Sequence, residues 1–433
     1  MKTLYRNDPR GEFPESWYTA TATFADPRPA LDGDARVDVC VIGAGFTGLC
    51  AALELAGRGF NVIVLEAHRA GFGASGRNGG QVGSGFNKSQ KWLQKSVGNN
   101  AARAMWDMAE AAKEQVRRFC ETHAPDARFL PGVAHGAYSS GEERELAENA
   151  EFLRKYYDYD QVDVLDSTGF RDLVMSPKYT GGVVDWGAGH IHPLRYVLGL
   201  ARAAEAAGAR ICEMTEATRI EHGTPARIKT PTGTVTADHV ILAGNGYLPD
   251  LDGQVAARVM PINSFMAATA PLTPEQKVLA KDIAAADSKF VVNYFRMSED
   301  NRFLFGGRES YGIGFPSDIS APLINRMTAM FPQLKGVKID YVWGGTLGIT
   351  MTRLPMVARI APNILNASGF SGHGVALSGF AGTIMAEAIA GQAERFDVLS
   401  QLPVPQFPGG SLLRAPLLTL GMTWYGLRDR LGF

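Results

Sequence analysis

The run Val37-Asp38-Val39-Cys40-Val41-Ile42-Gly43-Ala44-Gly45-Phe46-Thr47-Gly48 decides the fold. Val37 to Ile42 is a short, mostly apolar run, the pattern of a strand buried on both faces. A glycine turn follows. An apolar helix is then expected from Phe46 to about Leu55, ended by Gly57 and Gly59. Asn61 to Leu65 reads as a second buried strand. Strand, helix and strand within about 30 residues form a parallel βαβ unit. In that context the GxGxxG spacing has a mechanism. Gly43 permits the tight turn, Gly45 lets backbone approach a pyrophosphate, and Gly48 lets helix and strand pack closely. Phe46 and Thr47 open the helix, whose free N–H groups and partial positive charge face the phosphates. Glu66 closes the second strand 23 residues after Gly43. That is near the roughly 20 expected of a carboxylate that accepts hydrogen bonds from ribose hydroxyls.

The fingerprint announces a dinucleotide without choosing between NAD and FAD; its surroundings choose. The stretch Ala67-His68-Arg69-Ala70-Gly71-Phe72-Gly73-Ala74-Ser75-Gly76-Arg77-Asn78-Gly79-Gly80-Gln81 carries little side-chain bulk. It suits backbone contact with a long cofactor, phosphate first and a flat ring after it. Val240 to Gly246 is another buried strand running into a turn, with Ala243, Gly244 and Asn245 at its end. A third glycine cluster, Gly369-Phe370-Ser371-Gly372-His373-Gly374-Val375, lies between a strand and an apolar helix. A helix N-terminus there would face the pyrimidine edge of a flavin and stabilise the charge that develops on reduction. His373 is assigned to cofactor contact rather than catalysis. A second GxGxxG is missing, which suggests that the substrate itself reduces the flavin.

The bulk numbers narrow the field. At 433 residues the chain has room for about two or three units. Glycine reaches 49 residues while charged residues make up only 20 %, so the glycine excess belongs to turns and close approaches, not to disorder. Lys plus Arg is 43 against 44 for Asp plus Glu, which argues against a nucleic-acid partner. Four cysteines lie far apart without a CxxC pair, as in a reducing compartment, and the N-terminal stretch lacks an apolar signal core. A cytoplasmic location follows as an expectation. Residues 360–386 carry no charge, but Pro362 and several glycines and polar residues break them, so no membrane span is expected. His190 and His192 read as a strand end before a helix begun by Pro193, and no metal is expected. Residues 1–35 read as an irregular arm, and 411–433 as an amphipathic helix packed on the body. Neither GxSxG in a nucleophile elbow nor a P-loop occurs.

These residues resemble the FAD-dependent D-amino-acid oxidase/glycine oxidase/sarcosine oxidase superfamily, over nearly the whole chain from about residue 30. Within it, the branch that oxidises gamma-glutamylputrescine in putrescine degradation is most similar. The resemblance is carried by Gly71 to Gln81, Gly189-His190-Ile191-His192-Pro193-Leu194, Ala243-Gly244-Asn245, Phe331 to Tyr341, Gly372-His373-Gly374-Val375, Ala393 to Asp397 and Phe407-Pro408-Gly409-Gly410. It implies an α/β (α+β two-domain) protein. A Rossmann-like FAD-binding domain (1–95, 191–255 and 341–433) would be interleaved with a mixed-sheet substrate domain (96–190 and 256–340). It adds Ala217 and Gly345 to the cofactor contacts. Some sarcosine-oxidase relatives hold flavin through a cysteine; Val342 to Pro355 has none, which implies non-covalent FAD. Those relatives also place a lysine over the flavin, and Arg302 to Gly307 has none.

The implied reaction takes an amine to an imine by hydride transfer to flavin N5. Hydrolysis to aldehyde and ammonia follows, and molecular oxygen leaves as hydrogen peroxide. If the amine binds neutral, its lone pair drives hydride loss and no strong base is needed. The protein must desolvate the ammonium and hold the carbon about 3–3.5 Å from its target. Tyr294 and Trp343 are the expected aromatic walls, and Arg308 the expected partner of a substrate carboxylate. Another amine or amino-acid oxidase of this fold, a dehydrogenase with a different electron acceptor, and a flavin-bearing RNA-modifying or scaffold protein remain as alternatives.

Overall fold

The computed structural model describes residues 3–289, 291–310 and 314–410, with the backbone alone at Arg308. The amphipathic tail expected at 411–433 lies outside the described residues. Two large sheets organise the chain. The first has eight strands, ordered Met356–Ala361, Ile364–Ser368, Thr234–Leu242, Ala35–Ile42, Val62–Leu65 and Arg210–Cys212 along its main path. The hairpin Arg219–Glu221/Ala226–Lys229 is attached beside Thr234–Leu242. Its centre is parallel: Ala35–Ile42 pairs with Val62–Leu65 on one side and Thr234–Leu242 on the other. Val39, Cys40 and Val41 are fully buried, as a strand covered on both faces requires. The chain leaves the first strand in both directions, so the carboxyl ends of Ala35–Ile42 and Thr234–Leu242 flank a topological switch point, where open α/β sheets bind ligands.

The helix Phe46–Gly57 starts where the glycine turn ends. It packs against the helices Pro193–Ala206 and Leu377–Ile389 on one face of this sheet. Helix approach is close: a β-carbon on Gly382 would sit 2.0 Å from the Thr47 carbonyl oxygen, so only glycine fits. Pro193 occupies the first turn of its helix, and His192 caps it by accepting the Arg195 N–H at Nδ1. The long helix Asn99–His123 lays Met105, Ala109, Ala112, Val116 and Phe119 into the same core, the spacing of one helical face.

The second sheet has nine strands, and its main path runs Ile339–Ile349, Met260–Pro271, Arg302–Ser310, Tyr294–Met297, Ala284–Asp287, Leu130–Ala137, Gly181–His190 and Gln81–Val82. It is mixed, since Ala284–Asp287 runs parallel to Leu130–Ala137 while the other pairs are antiparallel. Phe265, Phe295, Phe303, Phe305 and Phe331 pack its own core; each buried ring contributes about 1.5–3 kcal/mol. Sheet pairing cuts across the expected domain bounds at two places, since Gln81–Val82 and the strand from Ile339 both pair in the second sheet. Residues 341–349 belong to a strand bonded to Met260–Pro271 in the second sheet, and the chain rejoins the first sheet at Met356.

The N-terminal arm is not the irregular tail that its composition suggested. Trp17 and Tyr18 are buried in a short helix, Trp17–Thr21, capped by Ser16. Phe13 packs against Phe24 and Phe72.

Candidate active site

Gly43 takes φ +109°, and a β-carbon there would lie 2.9 Å from the Ala243 carbonyl oxygen. The fingerprint turn and the strand end Ala243-Gly244 thus touch backbone to backbone. At Gly48 a β-carbon would lie 1.9 Å from the Gly43 carbonyl oxygen. The glycine spacing read from the sequence is therefore a packing requirement of the turn. Ser75 completes the turn from the second loop: its Oγ accepts the Phe46 N–H at 3.0 Å. Ala74, Ser75 and Gly76 form a short 3-10 turn in front of the helix N-terminus.

Glu66 stands at the end of its strand as expected. Its Oε2 accepts the Ala44 N–H at 2.8 Å and its Oε1 the His68 N–H at 2.9 Å. Burial dominates, pushing its carboxyl up to about 7. Each oxygen keeps acceptor capacity for a further donor. Ala67 is half-buried beside it. His68 stacks on Phe72 at 3.8 Å between ring centroids and 9° between planes. Its Nδ1 accepts the Gly11 N–H, so Nε2 carries the proton and donates to the Leu4 carbonyl oxygen; burial holds the ring down to about 4 and neutral.

The loop 77–81 is anchored at every residue. Arg77 is buried; its Nε donates to the Phe72 carbonyl oxygen at 2.7 Å and one Nη to Asp8 at 2.8 Å and to the Gly344 carbonyl oxygen at 3.1 Å. Its other Nη is buried without a protein partner. Asn78 turns inward, donating to the carbonyls of Ala74 and Ser75 and accepting the Gly80 N–H. Gln81 donates to the Ala285 carbonyl oxygen. Gly79 lies under the Tyr294 ring, with a would-be β-carbon 2.7 Å from the ring, and Gly306 lies against the same ring. Gly80 takes φ +77° against the Ile191 carbonyl. Gly345 faces the Arg77 side chain.

Asn245, at φ +46°, accepts the Gly369 N–H at 2.8 Å and so ties the strand end Ala243-Gly244 to the third cluster. His373 Nε2 donates to the Gly85 carbonyl oxygen, 3.2 Å away, and burial lowers its pKa. Gly372 takes φ +86° with open space where a side chain would stand. Gly374 and Val375 complete the turn, whose helix starts only at Leu377. The expected helix N-terminus at 372–374 is thus a preceding turn, because Ser371 and Gly372 adopt positive φ and cannot continue into helix.

Other residues assigned to the site have further partners. Arg69 pairs with the buried Glu213 at 3.3 Å and donates to the Ala25 carbonyl oxygen, so it fastens the N-terminal segment. Ala217 packs, partly buried, on the core of the first sheet. Trp343 is only 2 % exposed and its indole N–H donates to the Arg77 carbonyl oxygen at 3.0 Å; it backs the loop from the core. Tyr294 is half-buried, with its hydroxyl 3.1 Å from Ser264 Oγ. Arg308 lies in the strand Arg302–Ser310 with its backbone paired to Phe265, and its side chain is outside the described part.

A model of the family described as DAO, FAD dependent oxidoreductase, matches residues 38–388. The chain belongs to this family. Its cofactor is FAD, and the whole length agrees with relatives. It is 42 % identical to the probable oxidoreductase OrdL of Rhizobium meliloti over 96 % of this chain and 97 % of that protein. It is 40 % identical to gamma-glutamylputrescine oxidoreductase of Escherichia coli over 97 % of this chain and 99 % of that one. Among solved structures, glycine oxidase from Geobacillus kaustophilus superposes with a TM-score of 0.73 at 21 % identity, covering 87 % of this chain and 100 % of that one. The fold is therefore that of the DAO-like oxidoreductases, as expected.

The residues of this flavoprotein fit FAD. The cradle at Gly43, Gly45 and Gly48 would take the pyrophosphate, Glu66 the ribose hydroxyls, and the loop 74–81 with Gly372 the remainder. The orphaned Arg77 Nη is a buried donor in the same loop. When bound, FAD supplies the hydride acceptor; the chain's own residues orient, desolvate and hold charge.

Sequence reading missed Asp8, Tyr18, Arg296 and Lys113. Lys113 is 4 % exposed and donates to Ser84 Oγ and the Tyr159 hydroxyl, both of which donate to Asp185. This network fixes the 83–86 loop beneath His373. Arg296 had one local signal, since it alternates with Tyr294 on the same strand face.

Among the described residues no group of three or more His, Cys, Asp or Glu could hold a metal. In the same residues no helix is long and apolar enough to cross a membrane.

Proposed function

We propose that the chain is a gamma-glutamylputrescine oxidase with non-covalent FAD. It would release gamma-glutamyl-aminobutyraldehyde, ammonia and hydrogen peroxide. Identity of 40 % over 97 % of the chain supports the substrate. The observation that carries the chemistry is the half-buried Tyr294 ring seated on Gly79 of the flavin loop. An apolar wall at that place desolvates an incoming ammonium and favours the neutral amine. No strong base is required, and the buried His190 and His192 and the half-buried His373 all have lowered pKa values, chiefly through desolvation. Tyr294 is the wall residue, Trp343 supports it through the loop, and Arg308 takes the glutamyl carboxylate. Within the described residues we propose the FAD domain over 3–95, 191–255 and 356–410 and the substrate domain over 96–190 and 256–355, the bound near 341 being moved because the strand Ile339–Ile349 pairs with Met260–Pro271.

Anaerobic mixing tests the substrate. Gamma-glutamylputrescine should bleach the bound flavin far faster than putrescine, sarcosine or D-alanine, and air should then yield peroxide. Equal rates for putrescine would overturn the glutamyl assignment. Rapid dye reduction with little peroxide would instead favour a dehydrogenase.

A further inference from the structure

Arg296 is a buried charge without an anionic partner. It is 5 % exposed, and its guanidinium is a cation with five N–H donors and no acceptor. Its three hydrogen bonds go to neutral acceptors: Nε to the Gly79 carbonyl oxygen at 3.0 Å, one Nη to the Met297 carbonyl oxygen at 3.3 Å, the other to the Tyr18 hydroxyl at 3.4 Å. Among the described residues no carboxylate oxygen lies within 4.0 Å of it. Charges this deep are normally paired, because desolvation disfavours them. The other buried arginine among the described residues, Arg77, follows that rule with Asp8.

The groups facing Arg296 do not supply the missing charge. Tyr18 is held protonated by burial. His190 and His192 are neutral, the former pushed down to about 3 by burial and then by Arg296. Asp282 interacts with it only at longer range, from a side chain 46 % exposed that borders His190. On its outer side Arg296 borders a cavity of about 20 Å³, shared with Trp17, His190 and Glu299. That volume has room for about one water. On its inner side stands the backbone of Gly79 and Gly80, the loop that would carry the flavin ring. The vacant counter-charge therefore points through the loop.

We propose that Arg296 is a positioning residue that acts through Gly79, stabilising the negative charge that FAD acquires on two-electron reduction. Hydride brings two electrons and one proton from the substrate carbon, so the ring gains one net negative charge while the substrate is left as the protonated imine. A fixed guanidinium behind a thin glycine backbone, in a low-dielectric setting, favours that charged state without touching the ring. The inference rests on FAD binding in this loop and is independent of which amine is the substrate.

Sulfite tests it, since its addition to a flavin places the same negative charge on the ring and requires no substrate. In the FAD-loaded protein, Arg296→Gln should weaken sulfite binding about tenfold and lower the two-electron midpoint potential, and Arg296→Lys should restore most of both. Unchanged sulfite affinity in Arg296→Gln would overturn the proposal. So would equal loss in Gln and Lys, which would mean that loop geometry and not charge is at work. Should Arg296→Gln fail to retain flavin, Arg296→Lys alone decides. A buried lysine loses its charge at lower pH than arginine. Its sulfite affinity should then fall relative to wild type as pH rises; parallel pH profiles refute the charge role.

Discussion

Asp8, in the N-terminal arm, reaches the buried guanidinium of Arg77 at 2.8 Å and thereby ties the first residues of the chain to the flavin loop. The Asp8 side chain is 15 % exposed and that of Arg77 3 %, so the pair is screened little by water. Removing one partner leaves a buried charge uncompensated, which costs more than the pair contributes. Asp8→Ala should lower stability by about 3 kcal/mol in denaturant titrations and speed FAD release in the flavin-fluorescence assay. Wild-type release with wild-type stability would show that the arm is dispensable.

The fingerprint glycines separate into required and replaceable. A β-carbon on Gly48 meets the Gly43 carbonyl oxygen at 1.9 Å, and backbone cannot give way as a side chain can. Gly48→Ala should yield protein without flavin absorbance. Gly57, exposed at the end of the same helix, has nothing within 4 Å of the place where a methyl group would stand. Gly57→Ala should keep full flavin and gain up to about 1 kcal/mol, because alanine costs less backbone entropy in a helix. Flavin loss in both variants would mean that the helix tolerates no change at all.

Glu66 predicts a pH dependence of cofactor binding. Ribose hydroxyls donate to the carboxylate, so FAD selects the ionised form, whereas burial raises the free protein's carboxyl to about 7. FAD affinity should rise with pH and level off above about 7, falling by up to tenfold per unit below it. The folding contribution has the opposite sense. A carboxyl whose native pKa is raised adds stability below its unfolded value, near 4.5, and this is lost as pH rises through about 7. Isothermal titration at several pH values, with Glu66→Gln giving a flat profile, checks the assignment.

On the proposed reading, Arg308 bears on substrate choice. Arg308→Ala should raise KM for gamma-glutamylputrescine at least tenfold and leave KM for amines without a carboxylate nearly unchanged. An unchanged KM for gamma-glutamylputrescine removes Arg308 from the carboxylate site.

The legible parts of this protein are those in which cause and effect are close in the chain. Gly43 to Gly48 and Glu66 could be read because the turn, the helix start and the next strand end follow one another. The glycine content of 71–81 told of a close backbone approach, and Gly79 and Gly80 do lie tight against Tyr294 and Ile191. The same reading did not foresee that Arg69 pairs with Glu213, 144 residues away. It also placed a helix start at Gly372–Gly374, where positive φ at Ser371 and Gly372 holds a turn ahead of the observed start at Leu377. That the Trp343 indole N–H meets the Arg77 carbonyl oxygen was not legible, because a strand pattern tells which residues are buried and not what their polar atoms meet.

Local sequence by itself determined the βαβ unit, the dinucleotide cradle and the glycine loop, since turn geometry and helix initiation depend on neighbours within a few residues. Tertiary structure alone decided that Asp8 neutralises Arg77 across 69 residues and that Arg296 meets Gly79 across 217. Whether a buried charge has a partner depends on which distant segments the two sheets bring together, and no local pattern records that.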